Sequence, residues 1–324
     1  MKNFDVTALG ELLVDFTSNG FSAQGNPLFE ANPGGAPCNV LSMLQRLGKK
    51  TAFIGKVGED AFGRMLEDAV SEQGIDTRGL VRDKEVPTTL AFVHNTSDGD
   101  RSFSFYRNPG ADMMLLEEEV DMELLKDTRL FHFGTLSMTD EKVEKATKAA
   151  IKAAKEAGAL ISFDPNLRPP LWKRQEDAKE KFAFGFGQCD ILKISDDEIL
   201  FFTGLSDIDA GIRKIQESYD ITLICATMGK DGSRAYYKGM KVECQPFLNP
   251  DTIETTGAGD TFMACVLNAV LENGLEDLDE KKLFGMLEFA NAASSIITTK
   301  KGALRVMPQK EEVLHFIQER KKDT

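Results

Sequence analysis

Short apolar runs alternate with amphipathic segments along most of the chain. FDVTAL (4–9), TAFIGKV (51–57), LFHFG (130–134), LISFDPN (160–166), DILKIS (190–195) and TLICATMG (222–229) are apolar nearly throughout. Parallel strands read this way, because crossover helices cover both faces of their sheet. Between them, Ala36 to Leu47 and Glu141 to Glu156 carry helical periodicity and stop at Gly48 and Gly158, residues suited to helix C-termini. The pattern predicts an α/β protein with a mostly parallel sheet.

One region breaks the rhythm. TTLAFVHNTSDGDRSFSFYR (Thr88 to Arg107) alternates about Asp98 and Gly99, a strong hairpin signal. NPLFEANPG (Asn26 to Gly34) is a second extended piece. Both are expected to be strands of a small antiparallel flap, inserted at about residues 20–34 and 88–107 of a single domain spanning 1–324. The last third is helical, with amphipathic patterns at Ala258 to Asn273, Glu280 to Thr298 and Gln309 to Lys321.

Composition narrows the function. The 324 residues suffice for a large core, and 42% hydrophobic residues with 22 Phe say that the chain folds. A net charge of −13 argues against nucleic-acid or membrane-surface partners, whereas a small anionic ligand needs only a few local cations and N–H groups. Five scattered cysteines and three histidines fit reduced, packed thiols better than disulfides or zinc. Asp5, Glu11 and Asp15 interrupt the apolar N-terminal run, so it reads as neither signal peptide nor membrane span, and a cytoplasmic location is expected.

Polar residues recur at the ends of successive strands, where open α/β sheets bind ligands. LISFDPNLR delivers Asp164, Asn166 and Arg168; DILKIS delivers Lys193, Ser195 and then Glu198; TLICATMGKDGS delivers Thr227, Gly229 and Gly232. GGAPCN (34–39) is either a tight turn into a helix or a place where a ligand touches bare backbone. TIETTGAGDTF (252–262) sets Asp260 behind Gly257, Ala258 and Gly259. Asp260 reads either as a helix cap or as a base beside three free N–H donors. Phosphoryl transfer to a hydroxyl needs that second combination: donors for the moving charge and a carboxylate for the alcohol proton. The helix end is expected to keep Asp260 ionised and a weak base, which suffices if the proton moves late.

ETTGAGDTF resembles the second signature of the PfkB/ribokinase family of sugar kinases, D-T-x-G-A-G-D, and GGAPCNVLSMLQRLG resembles its first. The similarity runs from GELLVDF to ANAASSIITTKKGA, almost the whole chain, and GGAPCN, FYRNPGADMML, DPNLRPPLW and GEDAFG look most like bacterial fructokinases. The resemblance implies a ribokinase-like three-layer sandwich with a small β lid. It also implies transfer of the ATP γ-phosphoryl group to the 6-hydroxyl of D-fructose with magnesium. Another acceptor is the nearest alternative: 2-keto-3-deoxygluconate, ribose or a nucleoside. A non-catalytic sugar sensor would be expected to lose the base or the anion hole, and both stand intact.

By the same resemblance, Asp15, Gly34, Gly35 and Asn39 match sugar-binding positions, and the lid contributes Phe92, Phe105 and Arg107. Asp260 matches the catalytic base, with Gly257, Ala258 and Gly259 as the anion hole. Arg168 would approach the sugar or the transferred phosphate, while Asn166 and Lys193 face the nucleotide phosphates. Ser195, Thr227, Gly229 and Gly232 match nucleotide contacts, Asn291 lies where adenine binds, and Glu198 organises magnesium through water. Glu254 and Thr256 fall at the potassium site; Glu254 replaces the usual Asp there and Val306 a Ser found in some members. The aromatic lid face has two further readings, strand packing or the contact of a homodimer through the lids.

Overall fold

The computed structural model describes residues 2–95 and 101–322. Its strands are β1 (Phe4–Leu9), β2 (Leu13–Phe21), β3 (Pro27–Gly34), β4 (Thr51–Gly58), β5 (Asp76–Asp83), β6 (Leu90–Asn95), β7 (Arg101–Tyr106), β8 (Thr128–Gly134), β9 (Leu160–Asp164), β10 (Ile191–Ser195), β11 (Leu223–Thr227), β12 (Ser233–Tyr237) and β13 (Met240–Cys244). Its helices are α1 (Ala36–Arg46), α2 (Ala61–Glu72), α3 (Met122–Lys126), α4 (Glu141–Glu156), α5 (Gln175–Phe186), α6 (Asp196–Thr203), α7 (Ile208–Gln216), α8 (Ala258–Asn273), α9 (Glu280–Ile297) and α10 (Lys310–Arg320).

The main sheet runs β13-β12-β11-β10-β9-β8-β1-β4-β5. It is parallel from β11 to β5, and β12 and β13 are added antiparallel at one edge. Two apolar clusters fill its two faces. Side chains of α1, α2, α8, α9 and α10 pack in one, those of α3 to α7 in the other. This three-layer sandwich is the ribokinase-like α/β fold, and all five cysteines lie free and buried in it. No helix among the described residues is long and apolar enough to cross a membrane.

The small sheet runs β3-β2-β6-β7 and stands at the carboxyl end of β1. Its strand β2 begins at Leu13, earlier than the insertion expected from residue 20, and pairs parallel with β6. The hairpin tip at Asp98 and Gly99 lies outside the described residues. Pairing sets Asp15 opposite both Asn32 and Ala91, and Ala91 opposite Phe105. Side chains alternate along a strand, so these residues share one face and Phe16, Phe92 and Tyr106 share the other.

Candidate active site

The head of α8 forms the floor of the site. Gly257 sits at φ +77°, a left-handed conformation costly to any residue with a Cβ, and an added Cβ would lie 2.7 Å from that of Ala303. The Ala258 N–H donates to the Thr255 carbonyl at 3.2 Å. Of the three expected donors, those of Gly257 and Gly259 have no acceptor among the described residues and remain for a ligand. Asp260, 9% exposed, accepts a 2.8 Å hydrogen bond from Asn39 Nδ2. Burial pushes the Asp260 carboxyl above its ordinary range, against the Asn39 hydrogen bond and the charges of Lys193 and Arg168. The expectation of a low, weakly basic Asp260 is thus reversed: enclosure outweighs the helix end, and the group is a better base than its position suggested.

A cavity of about 650 Å³ opens above Asp260. Asp15 and Phe105 line it from the lid, Gly35 and Asn39 from the start of α1, and Asn166 and Arg168 from the loop after β9. Gly34 contributes by omission, since a Cβ there would overlap the Asp15 carboxylate. Gly35 turns the chain from lid to helix at φ +125°. Asn39 Oδ1 is buried without a partner among the described residues, an acceptor left for a hydroxyl. Burial raises Asp15 to about 7, Arg168 opposing and Asp260 and Glu254 reinforcing the shift. Asn166 holds a positive φ of 49°, and its Oδ1 accepts from Arg168 Nη1 at 2.7 Å, which fixes that guanidinium toward the cavity. Asn166 was expected on the nucleotide side and instead lines this cavity.

Two lid assignments differ from the sequence expectation. Phe92 is on the opposite face of the small sheet, stacked on Phe16 at 4.8 Å between ring centroids and edge-on to Phe29 and Tyr106. Arg107 is buried just beyond β7, paired with Asp112 at 2.7 Å and donating to Thr139 Oγ1 and the Leu136 carbonyl. Its guanidinium anchors the base of the lid and does not reach the cavity. Glu11 was not singled out by its sequence context; it lines the cavity, and its Oε1 accepts from the Ala36 N–H at 2.8 Å, capping α1 from a distance. Burial raises Glu11 to about 7.

A second cavity, of about 520 Å³, is lined by Ser195, Thr227, Gly229, Gly232 and Asn291, as expected, and by Leu248, Asn249 and Ser295, which the sequence did not mark. The Asn291 amide is engaged on both ends, donating to the Cys244 and Gln245 carbonyls and accepting from Ser233. It therefore shapes the wall. Ser295 Oγ is buried there without a partner among the described residues.

Lys193, Thr255 and Gly259 belong to the walls of both cavities, whereas Asp260 belongs to the 650 Å³ cavity alone. Lys193 lies 3.1 Å from Asp164. Burial pulls its ammonium down, yet Asp164, Glu198 and Asp260 together push it up. Burial raises Asp164 to about 7. Glu198 is held by the Leu167 and Ser195 N–H groups, one on each oxygen at 2.8 and 2.9 Å. Three carboxylates therefore face one ammonium, and the excess negative charge suits a divalent cation. No three His, Cys, Asp or Glu side chains among the described residues converge to chelate an ion directly. Magnesium fits here only when held by phosphate oxygens and water, as is usual for that ion. At the expected potassium position Glu254 Oε1 accepts from the Gly302 N–H at 2.7 Å, Thr256 lines the 650 Å³ cavity, and Val306 packs on the core.

A buried carboxylate beside an N-terminal cradle, at the seam of two cavities, defines a phosphotransferase with an alcohol acceptor. The pfkB family carbohydrate kinase pattern matches residues 4–310. A probable fructokinase-2 of Arabidopsis thaliana is 41% identical over 314 residues, 96% of this chain and 95% of that protein. A fructokinase of Xylella fastidiosa with bound ATP has a TM-score of 0.89 at 31% identity, covering 99% of this chain and 100% of that one. A fructokinase double mutant of Vibrio cholerae, with fructose, ADP and potassium ion bound, has a TM-score of 0.87 at 27% identity, covering 98% and 99%. The chain belongs to the PfkB family of carbohydrate kinases.

Proposed function

We propose that this chain transfers the γ-phosphoryl group of ATP to the 6-hydroxyl of D-fructose, giving fructose 6-phosphate and ADP. The observation that carries the reading is the shared wall of Lys193, Thr255 and Gly259 between the two cavities, with Asp260 on one side of it only. A nucleotide in the 520 Å³ cavity would present its terminal phosphate at that wall, and a sugar in the other would present a hydroxyl to Asp260. The hydroxyl oxygen attacks phosphorus, the bond to the bridging oxygen of ADP breaks, and Asp260 takes the alcohol proton. The Gly257 and Gly259 N–H groups, the α8 N-terminus and Lys193 receive the charge that spreads over the moving group. Magnesium, when bound with ATP, would neutralise phosphate charge near Glu198 and Asp164.

In this reading Asp15, Asn39, Gly35 and Arg168 orient the sugar, Phe105 covers it from the lid, and Asn166 holds Arg168. Ser195, Thr227, Gly229, Gly232 and Asn291 shape the nucleotide site, and Glu254 with Thr256 forms the potassium site. A homodimer through the lids is part of the proposal, supported by the exposed outer face carrying Phe21 (75%) and Tyr106 (66%). A cytoplasmic location belongs to it as well.

ADP release measured over ketoses, aldoses, keto-acids and nucleosides, with and without potassium, tests the reading. The greatest kcat/KM is expected for fructose. A larger value for another acceptor overturns the substrate assignment and leaves the reaction class standing.

A further inference from the structure

A third cavity, of about 560 Å³, lies away from the reaction, between α8, α9 and the start of α10. Its apolar floor includes Met286, Phe289 and Leu314. Asn268 also lines it, 7% exposed, with an Oδ1 that is buried and has no hydrogen-bond partner among the described residues. A buried amide acceptor with nothing to accept is costly unless a ligand or water supplies the donor.

The rim is charged and asymmetric. Its carboxylates are committed: Glu272 pairs with Lys49 at 3.1 Å, and Asp279 caps α9 through the Lys282 N–H at 2.8 Å. Lys282 itself donates to the Asp277 carbonyl. Lys281 and Lys310 line the cavity and form no ion pair among the described residues. Among the described residues, two ammonium groups without a carboxylate partner thus stand over a pocket whose buried amide oxygen lacks a donor, in a chain of net charge −13. The cavity falls within the size range that encloses a metabolite.

We propose that this cavity is a second ligand site, for a sugar phosphate. Lys281 and Lys310 take the phosphate, Asn268 takes a hydroxyl, and Phe289 meets the apolar face of the sugar. The cavity is tied to the reaction by its own walls. α8 contributes Asn268 to it and Gly259 to the nucleotide cavity, while α9 contributes Phe289 to it and Asn291 to the nucleotide cavity. Occupancy there acts on ATP binding through these two helices. The proposal does not depend on which sugar the catalytic site phosphorylates.

Calorimetric titration of the full chain with fructose 6-phosphate, and separately with inorganic phosphate, tests it alongside steady-state kinetics. Three variants locate the site. Gly285 lines the cavity and has open space where its Cβ would be, so Gly285→Leu puts a side chain into it. Lys281→Gln with Lys310→Gln removes both charges, and Asn268→Leu removes the amide while keeping its bulk. Gly285→Leu is expected to lose a binding event that the wild type has, and the double lysine variant to weaken it by roughly tenfold or more in affinity for each charge removed. Asn268→Leu should weaken fructose 6-phosphate and leave inorganic phosphate unchanged. Turnover without added sugar phosphate should stay at the wild-type value in all three. Added sugar phosphate should move the KM for ATP more in the wild type than in Gly285→Leu, where product binding at the catalytic cavity is all that is left. Identical titrations and identical KM responses in wild type and variants overturn the proposal, as does phosphate binding that Asn268→Leu weakens equally.

Discussion

Asp15→Asn separates stability from function at one atom. In the ligand-free protein, burial raises the Asp15 carboxyl from 3.8 to about 7. Its folded value lies above its unfolded one, so the native state binds more protons across that interval. The associated stability is complete below pH 3.8 and is lost as pH rises to about 7. At 1.36 kcal/mol per pH unit, the interval is worth about 4 kcal/mol. Asp15 is half-buried in an open cavity, so solvent screening reduces this to about 2 kcal/mol. Asparagine does not titrate and has nearly the same shape. The variant should match the wild type in urea unfolding at pH 4 and be more stable by about 2 kcal/mol at pH 8. Sugar kcat/KM should fall roughly a hundredfold, because a charge-assisted acceptor for hydroxyls is gone. An equal stability difference at both pH values, or a less stable variant at pH 8, would refute the reasoning.

Asp260→Asn should lower kcat by a few orders of magnitude while ATP binding, followed by calorimetry, stays near normal; near-normal turnover would remove Asp260 as the base. Arg107→Ala should cost roughly 3–5 kcal/mol in denaturant unfolding, since it strands Asp112 as a buried charge. Turnover of the folded fraction should retain the wild-type sugar KM; a raised KM would return Arg107 to the sugar site. Wild-type sugar kcat/KM should drop as pH falls through about 7, where Asp15 takes up its proton, and a flat profile argues against Asp15 binding as a carboxylate. Tyr106→Asp should convert a lid-mediated dimer to monomer in sedimentation, and an unchanged mass would place any dimer contact elsewhere.

Much of the architecture was readable because its signals are local. The ends of α4 and α8 fall at the expected residues, since Asp140 caps the first and glycines follow both. The strands with continuous apolar runs were equally plain. β2 was missed because LVDFTSNGF carries polar residues and a glycine where a strand signature needs alternation. β12 and β13 are short, and one, MKVEC, has two charged residues in five. Within the site, the cradle and its carboxylate were legible as a motif. The face of Phe92 was not: alternation says which residues share a side, and only the register of Asp15 on Ala91 says which side looks inward. Arg107 was misread because the Thr139 hydroxyl and the Leu136 carbonyl are brought to it by tertiary folding, and only with them does the nearby Asp112 hold the guanidinium away from the cavity. The upward shift of Asp260 likewise comes from enclosure by distant segments.

The lid is not a separable cassette. Strand β3 ends at Gly34, Gly35 makes the turn, and α1 delivers Asn39 to Asp260 five residues later, with Glu11 holding the Ala36 N–H between them. A lid grafted from a relative, with its β2 and β3 between residues 13 and 34, would bring its own exit angle into that junction. The recipient's base would then be reset together with its sugar preference. Exchanges that carry α1 and Glu11 along with the lid should keep their turnover, which makes the lid and first helix, rather than the lid alone, the natural unit of recombination in this scaffold.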